Sequence, residues 1–266
     1  MKITIAGCGN MGLIYARAFL KYNIVDRTEL FLAEKNRERK ELLKETGLGF
    51  VTVVNDPDVG ESDIIIIAVK PQDFSALAAE LKPVLKEGQI LISIMAGIKI
   101  PSLQRALGQK RIVRAMPNSP AEIGMGMTGY SCSREMSVEE IKKAENLLGT
   151  TGRTVYFEDE NMLNAVTGIS GSGPAYFFYI VKHMIEAGKR MGMDEHVAGN
   201  LVKQTMLGSF HLLNSSGKPM DELIKAVMSK KGTTEAAFKV FEDGKMGEVL
   251  REGLIRAKDR AAELAQ

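Results

Sequence analysis

The stretch Lys2–Gly12, KITIAGCGNMG, runs an apolar segment straight into three glycines spaced G-x-G-x-x-G. Gly7 permits a tight turn, Gly9 lets the backbone approach a pyrophosphate, and Gly12 allows a helix to pack closely on the preceding strand. The phosphates of a bound dinucleotide then rest on the helix N-terminus, where amide groups lack partners. Glycine-rich turns also arise by chance. The apolar run before this one and the helical spacing after it are what point to a dinucleotide.

Working outward, the same alternation repeats. The amphipathic stretch Met11–Tyr22 is followed by ELFLAE, then by a charged helix across Lys35–Thr46. Further apolar runs come at DIIIIAVK, QILISIMAG and RIVRAMPN, with helical spacing at Phe74–Leu85 and Pro101–Leu107. Strands of unbroken Ile, Leu and Val are those buried on both faces, which predicts a parallel sheet with helices on each side. Residues 1–158 therefore read as a doubly wound α/β domain.

After Glu158 the texture changes to long helical patterns rich in Met and Ala, without a convincing strand. Helices are expected over Asn161–Gly168, Ala175–Met191, His196–Asn214, Met220–Met228, Thr233–Phe241 and Gly247–Ala265. Ala175–Met191 is apolar nearly all round, which suits a helix enclosed by other helices or by a second subunit. Residues 159–266 read as an all-helical domain with an oligomer interface.

Composition narrows the function. A formal charge of +2, with Lys and Arg spread along 266 residues, gives nucleic acid no basic footprint. No apolar run reaches the roughly 18 residues that span a bilayer, and glycines occupy the place where a signal peptide needs its apolar region. A cytoplasmic protein is expected. Cys8 and Cys132 have no metal spacing and read as structural. His183, His196 and His211 share no ligand spacing, so no metal site is expected.

Several residues stand where a cofactor would lie. Glu34, at the end of the second strand, occupies the usual place of an acid that binds adenine ribose hydroxyls, which favours NAD. Lys35, Arg37 and Arg39 follow at once, and either pair with a 2′-phosphate or form the wet face of a helix. Ala68–Gln72 and Arg114–Pro120 lie at the carboxyl ends of strands, where open α/β sheets bind ligands. Lys70 is alternatively a solvated strand end, and Asn118 either bonds a nicotinamide ring or carboxamide or caps a turn.

In the second half, GISGSGPAYFF places small residues before Pro174 at a helix start, suiting close approach to a ligand or a plain tight loop. MSKKGTTEAAF, Met228–Phe238, places Thr233 or Thr234 as a helix cap, with Gly232 freeing the turn before it. That helix start, with Lys230 and Lys231 beside it, forms a site for a carboxylate or is an ordinary capped helix.

IAGCGNMG, AVKPQ, RAMPNSP, AVTGISGSGPAY and GTTEAA, in this order and at these intervals, resemble pyrroline-5-carboxylate reductase from Lys2 to about Ala262. The resemblance implies a Rossmann-like domain joined to a helical dimerisation domain, with homodimers that often assemble into a homodecamer. It implies reduction of 1-pyrroline-5-carboxylate to L-proline with NADPH or NADH. By matching position, Gly7, Gly9, Asn10, Met11 and Gly12 would hold the pyrophosphate, and Asn55 would reach the adenosine. Ala68, Val69, Lys70 and Pro71, with Met116 and Asn118, would line the nicotinamide. Ser229, Gly232, Thr233 and Thr234 would bind the substrate, the Thr234 hydroxyl steering or donating the proton to the ring nitrogen.

Two features, the loop before GTTEAA and Glu34, depart from the family pattern. The loop Ser-Pro-Gly-Gly-Thr-Thr is here Ser229-Lys230-Lys231-Gly232-Thr233-Thr234, which loses a rigid turn residue and a flexible one. Glu34 stands where related sequences often carry Ser or Thr. Two other readings are a non-catalytic nucleotide-binding paralogue and a β-hydroxyacid dehydrogenase. The latter would need Lys182 or Lys189 as its general acid or base.

Overall fold

The computed structural model describes residues 1–264, so Ala265, the expected end of the last helix, lies outside the described residues. Two compact units divide the chain, one formed by Met1–Gly173 with the chain from Ile255 onward, the other by Pro174–Leu254.

The first unit opens with β1 (Ile3–Ala6), α1 (Asn10–Lys21), β2 (Leu30–Ala33), α2 (Arg37–Thr46) and β3 (Phe50–Thr52). A short α3 (Pro57–Gly60) leads to β4 (Ile64–Ile67), α4 (Phe74–Leu81), β5 (Ile90–Ser93), α5 (Ile100–Leu107) and β6 (Ile112–Met116). Then come β7 (Gly126–Cys132), α6 (Val138–Gly149), β8 (Gly152–Tyr156) and α7 (Met162–Val166), which passes into a π turn at Thr167–Gly171.

All eight strands join one sheet in the order β3-β2-β1-β4-β5-β6-β7-β8. The first six are parallel, β7 is antiparallel to β6, and β8 is parallel to β7. The order reverses between β1 and β4, the switch point where such sheets open a ligand crevice.

Strand β4 explains why no alternation marks these strands. Ile64 and Ile66 enter the cluster on one face with Tyr15 and Phe19, whereas Ile65 and Ile67 enter the cluster on the other with Leu77 and Leu81. Each such side chain contributes roughly 1.5–3 kcal/mol by leaving water. Helix α1 buries Gly12, Tyr15, Ala16 and Phe19, the spacing of one helical face.

The segment just after Glu158 packs on the sheet. Arg114 of β6, 2% exposed, pairs with Glu160 at 3.0 Å and with Asn164 at 3.5 Å, and Val166 fills the space over Gly129 of β7. A buried guanidinium needs those partners, so the segment after Glu158 stays with the sheet.

The second unit is helical. Helix α8 (Gly173–Arg190) crosses into it, α9 (Glu195–Ser216), α10 (Met220–Val227) and α11 (Thr233–Asp243) lie within it, and α12 (Met246–Glu263) leaves it at Leu254. Asp194 caps α9 by accepting the His196 and Val197 N–H groups. Gly188 lets α8 close onto Ala198, where a Cβ would come within 2.9 Å of the alanine methyl. Helices α10 and α11 bury no residue. Phe177, Phe178, Tyr179, Met191, Leu207 and Phe210 stand exposed. No helix among the described residues is long and apolar enough to cross a membrane.

Candidate active site

At the carboxyl ends of β1 and β4 a cleft of about 660 Å³ opens. The Ala68 N–H donates to the Ala6 carbonyl at 2.8 Å, so the glycine turn after β1 lies against the end of β4. Gly7 takes φ +102°, and a Cβ there would meet the Val69 nitrogen at 2.7 Å. At Gly12 a Cβ would lie 2.3 Å from the Gly7 carbonyl oxygen, whereas at Gly9 it would meet nothing within 4 Å. The first and third glycines thus serve packing. The second leaves room in the cleft.

Gly9 caps α1 with no side chain on the free amides, and the first turn of α1 carries no acid. An anion meets exposed N–H groups and the positive end of the helix dipole there. This bare, glycine-lined helix start is the observation that fits a dinucleotide pyrophosphate.

The far end of the cleft is polar. Glu34 follows β2, 8% exposed, with Oε1 accepting the Asn36 N–H at 3.0 Å and Oε2 3.9 Å from the Arg39 guanidinium. Lys35 reaches Asp73 at 3.2 Å, and both line the cleft.

Of the expected cofactor residues, Gly7, Gly9, Asn10, Met11, Glu34, Lys35, Ala68, Val69, Lys70 and Pro71 line this cleft. Gly12, Asn55, Met116 and Asn118 do not. Gly12 is buried on the face of α1 that meets Gly7 and Ile5, and Asn55 is exposed beyond β3. Arg39 joins the lining while Arg37 stays outside it. Val53, Val54 and Ile94–Ala96, from the carboxyl ends of β3 and β5, also line it and were not anticipated. Cys8 lines the cleft too, and burial first, then the Glu34 charge, pushes its thiol up to about 12. It stays protonated at neutral pH, as a structural residue should.

Met116 and Asn118 lie in a second cluster. The Asn118 Oδ1 accepts the Met127 N–H at 2.9 Å, and its Nδ2 donates to the Ser170 carbonyl and hydroxyl, each at 3.2 Å. One side chain therefore ties the end of β6 to β7 and to the π turn. Gly171 of that turn sits against Met116, where a Cβ would come within 2.6 Å of the methionine methyl.

The loop ahead of α11 forms a closed turn with Lys230 and Lys231 at its centre. The Gly232 N–H donates to the Ser229 carbonyl at 2.9 Å, and Lys231 takes φ +60°. A positive φ at the third position is the mark of a type II turn, which proline and glycine favour but do not monopolise. The Lys231 N–H donates to Glu235 at 2.6 Å, bracing the strained residue from the helix it precedes. Gly232 itself is the N-cap, without a side-chain cap, which corrects the expectation that Thr233 or Thr234 caps this helix. A Cβ on Gly232 would lie 2.9 Å from the Ser229 carbonyl oxygen, so the tight approach requires glycine there. Thr233 and Thr234 are the first two helical residues, and no capping bond engages their hydroxyls.

The lysines weighed as a general acid or base each have a carboxylate partner. Lys182 lies 3.8 Å from Glu186. The hydrogen bond and charge of Glu195 raise the Lys189 pKa, away from the value a base needs.

Comparison with known proteins agrees with this geometry. Residues 160–264 match the family model for pyrroline-5-carboxylate reductase dimerisation, and residues 2–97 match the model for NADP oxidoreductase coenzyme F420-dependent. The chain is 35% identical to pyrroline-5-carboxylate reductase of Pseudomonas aeruginosa over 100% of its own length and 97% of the relative's. It is 33% identical to that of Arabidopsis thaliana over 100% and 96%. Among solved structures, a pyrroline-5-carboxylate reductase from Coxiella burnetii superposes with a TM-score of 0.88 at 30% identity, covering 100% and 98% of the two chains. Pyrroline carboxylate reductase of Plasmodium falciparum with NADP bound gives 0.89 at 26% identity, covering 100% and 98%.

Proposed function

This chain belongs to the pyrroline-5-carboxylate reductase family, and from that premise we propose which of its residues carry the reaction. It is an NAD(P)H-dependent oxidoreductase that reduces 1-pyrroline-5-carboxylate to L-proline, the last step of proline biosynthesis. The dinucleotide, when bound, supplies the hydride.

Gly7, Gly9, Asn10 and Met11 hold the pyrophosphate on the bare start of α1, with Gly12 securing that helix against the turn. Glu34 and Lys35 take the adenosine ribose, and Asn55 stands toward the adenine. Ala68, Val69, Lys70 and Pro71 border the nicotinamide. Met116 lies at the same ring, and Asn118 holds it there through Met127 and Ser170, so its role is positioning.

The substrate carboxylate is taken by the first amides of α11, with Ser229, Gly232 and Thr233 shaping the turn around it. The Thr234 hydroxyl bonds the ring nitrogen and directs the proton there, so that C=N gains a hydride on carbon and a proton on nitrogen. Orientation supplies much of the rate, since an iminium carbon accepts hydride readily. The single observation that carries this reading is the closed Ser229–Gly232 turn, which leaves both threonine hydroxyls outside any capping role.

We read residues 1–158 as the cofactor domain and 159–266 as the substrate and dimerisation domain, in keeping with a dimerisation model that begins at residue 160. Homodimers form through the helical half. Assembly of those dimers into a homodecamer, and a cytoplasmic location, complete the reading.

Oxidation of NADPH or NADH on addition of the imine, followed by absorbance, tests the activity. Thr234→Ala should lower kcat/KM roughly 100-fold or more, with cofactor affinity unchanged. Unaltered turnover would remove Thr234 from the mechanism.

A further inference from the structure

The cleft at the end of β2 holds a carboxylate where the two dinucleotides differ. The Glu34 N–H donates to the Thr52 carbonyl at 3.1 Å, so pairing with the chain at β3 fixes the start of the side chain. At its other end, Oε1 accepts the Asn36 N–H at 3.0 Å, while the Asn36 side chain is itself held by the Arg39 N–H at 2.9 Å. The carboxylate is thus tethered to the first turn of α2 and lines the cleft.

The nearby cations do not offset it. Lys35 is engaged by Asp73 at 3.2 Å, the Arg39 guanidinium faces Glu34 at 3.9 Å, and Arg37 lies outside the lining. A 2′-phosphate would meet a fixed anion whose neighbouring positive charges already have carboxylate partners. A ribose diol would meet an acceptor that is short of donors, since Oε2 has only the distant guanidinium.

We propose that Glu34 makes this chain selective for NADH: its carboxylate accepts the adenosine ribose hydroxyls and repels a 2′-phosphate. This rests on the cleft being the dinucleotide site, as read above. Arg39 and Lys35 are held in reserve by Glu34 and Asp73, so removing Glu34 frees Arg39 to face a phosphate.

Equilibrium titration of the full chain with NADH and with NADPH separately, without imine and at fixed ionic strength, tests this through calorimetry and nicotinamide fluorescence. NADH should bind about 10-fold or more tightly than NADPH. Glu34→Ser should reverse the order, and adding Arg39→Ala to it should remove the gain for NADPH. Glu34→Gln, which keeps the side-chain shape and so the fold, should improve NADPH binding while changing NADH binding less. Wild-type protein that binds both equally, or NADPH more tightly, would overturn the selectivity and leave the cleft assignment standing. Protein that binds neither would overturn both.

Discussion

The sheet unit and the helical unit bury their apolar residues by opposite means. In the first, Ile64 to Ile67 vanish between two layers of helices formed by the same chain. In the second, α10 and α11 bury nothing, and Phe178 stands 69% exposed among other large apolar side chains. An exposed apolar surface of that extent marks an interaction site, and the dimerisation model covers these residues. The comparison teaches that one half of the chain completes its own interior while the other is finished by a second copy.

The sharpest way to break that contrast is to place the same charge in each half. Ile66→Asp leaves an unpaired carboxylate between two packed layers and should cost more than about 4 kcal/mol, enough to abolish cooperative unfolding in a thermal melt. Phe178→Asp should leave the fold and NADH binding intact while weakening self-association about 100-fold by sedimentation. A Phe178→Asp protein that stayed fully dimeric would remove α8 from the interface.

Within the sheet unit the glycines divide by the same logic of filled and open space. Gly12→Ala drives a methyl into the Gly7 carbonyl and should destabilise by about 2 kcal/mol. Gly9→Ala should leave the melting temperature nearly unchanged and weaken dinucleotide binding about 10-fold, since its methyl enters the cleft. Equal effects on stability would show that Gly9 also packs.

The loop ahead of α11 offers a smaller test. Relieving the positive φ by Lys231→Gly should stabilise by about 0.5 kcal/mol, the conformational relief being partly offset by glycine's freedom when unfolded. Smallest of all, Cys8 and Cys132, both pushed up to about 12 chiefly by burial, should resist thiol reagents at pH 8 until the protein unfolds.

How much of this could be read beforehand depended on whether burial left an apolar trace. Strands β1, β2, β4, β5 and β6 were visible as short, mainly apolar runs without alternation, and the helices of the second half as periodic ones. Strand β7, GMTGYSC, was not, although Thr128 and Ser131 are buried, because the Ser131 hydroxyl spends its polarity on the Phe157 carbonyl at 2.6 Å. Such a strand looks like a loop until its partner is known. Val53, Val54 and Ile94–Ala96 escaped notice because they carry no motif, though extending the carboxyl-end rule to every strand would have found them. The Asn118 bridge joins residues far apart in the chain, which no local pattern encodes.

That bridge has a consequence for how the protein ages. An amide can offer Met127 an acceptor and Ser170 a donor at once, whereas a carboxylate can only accept. Hydrolysis of the Asn118 amide to a carboxylate would set oxygen against the Ser170 carbonyl, so the chemical survival of one half-buried amide is a condition for keeping β6, β7 and the π turn together.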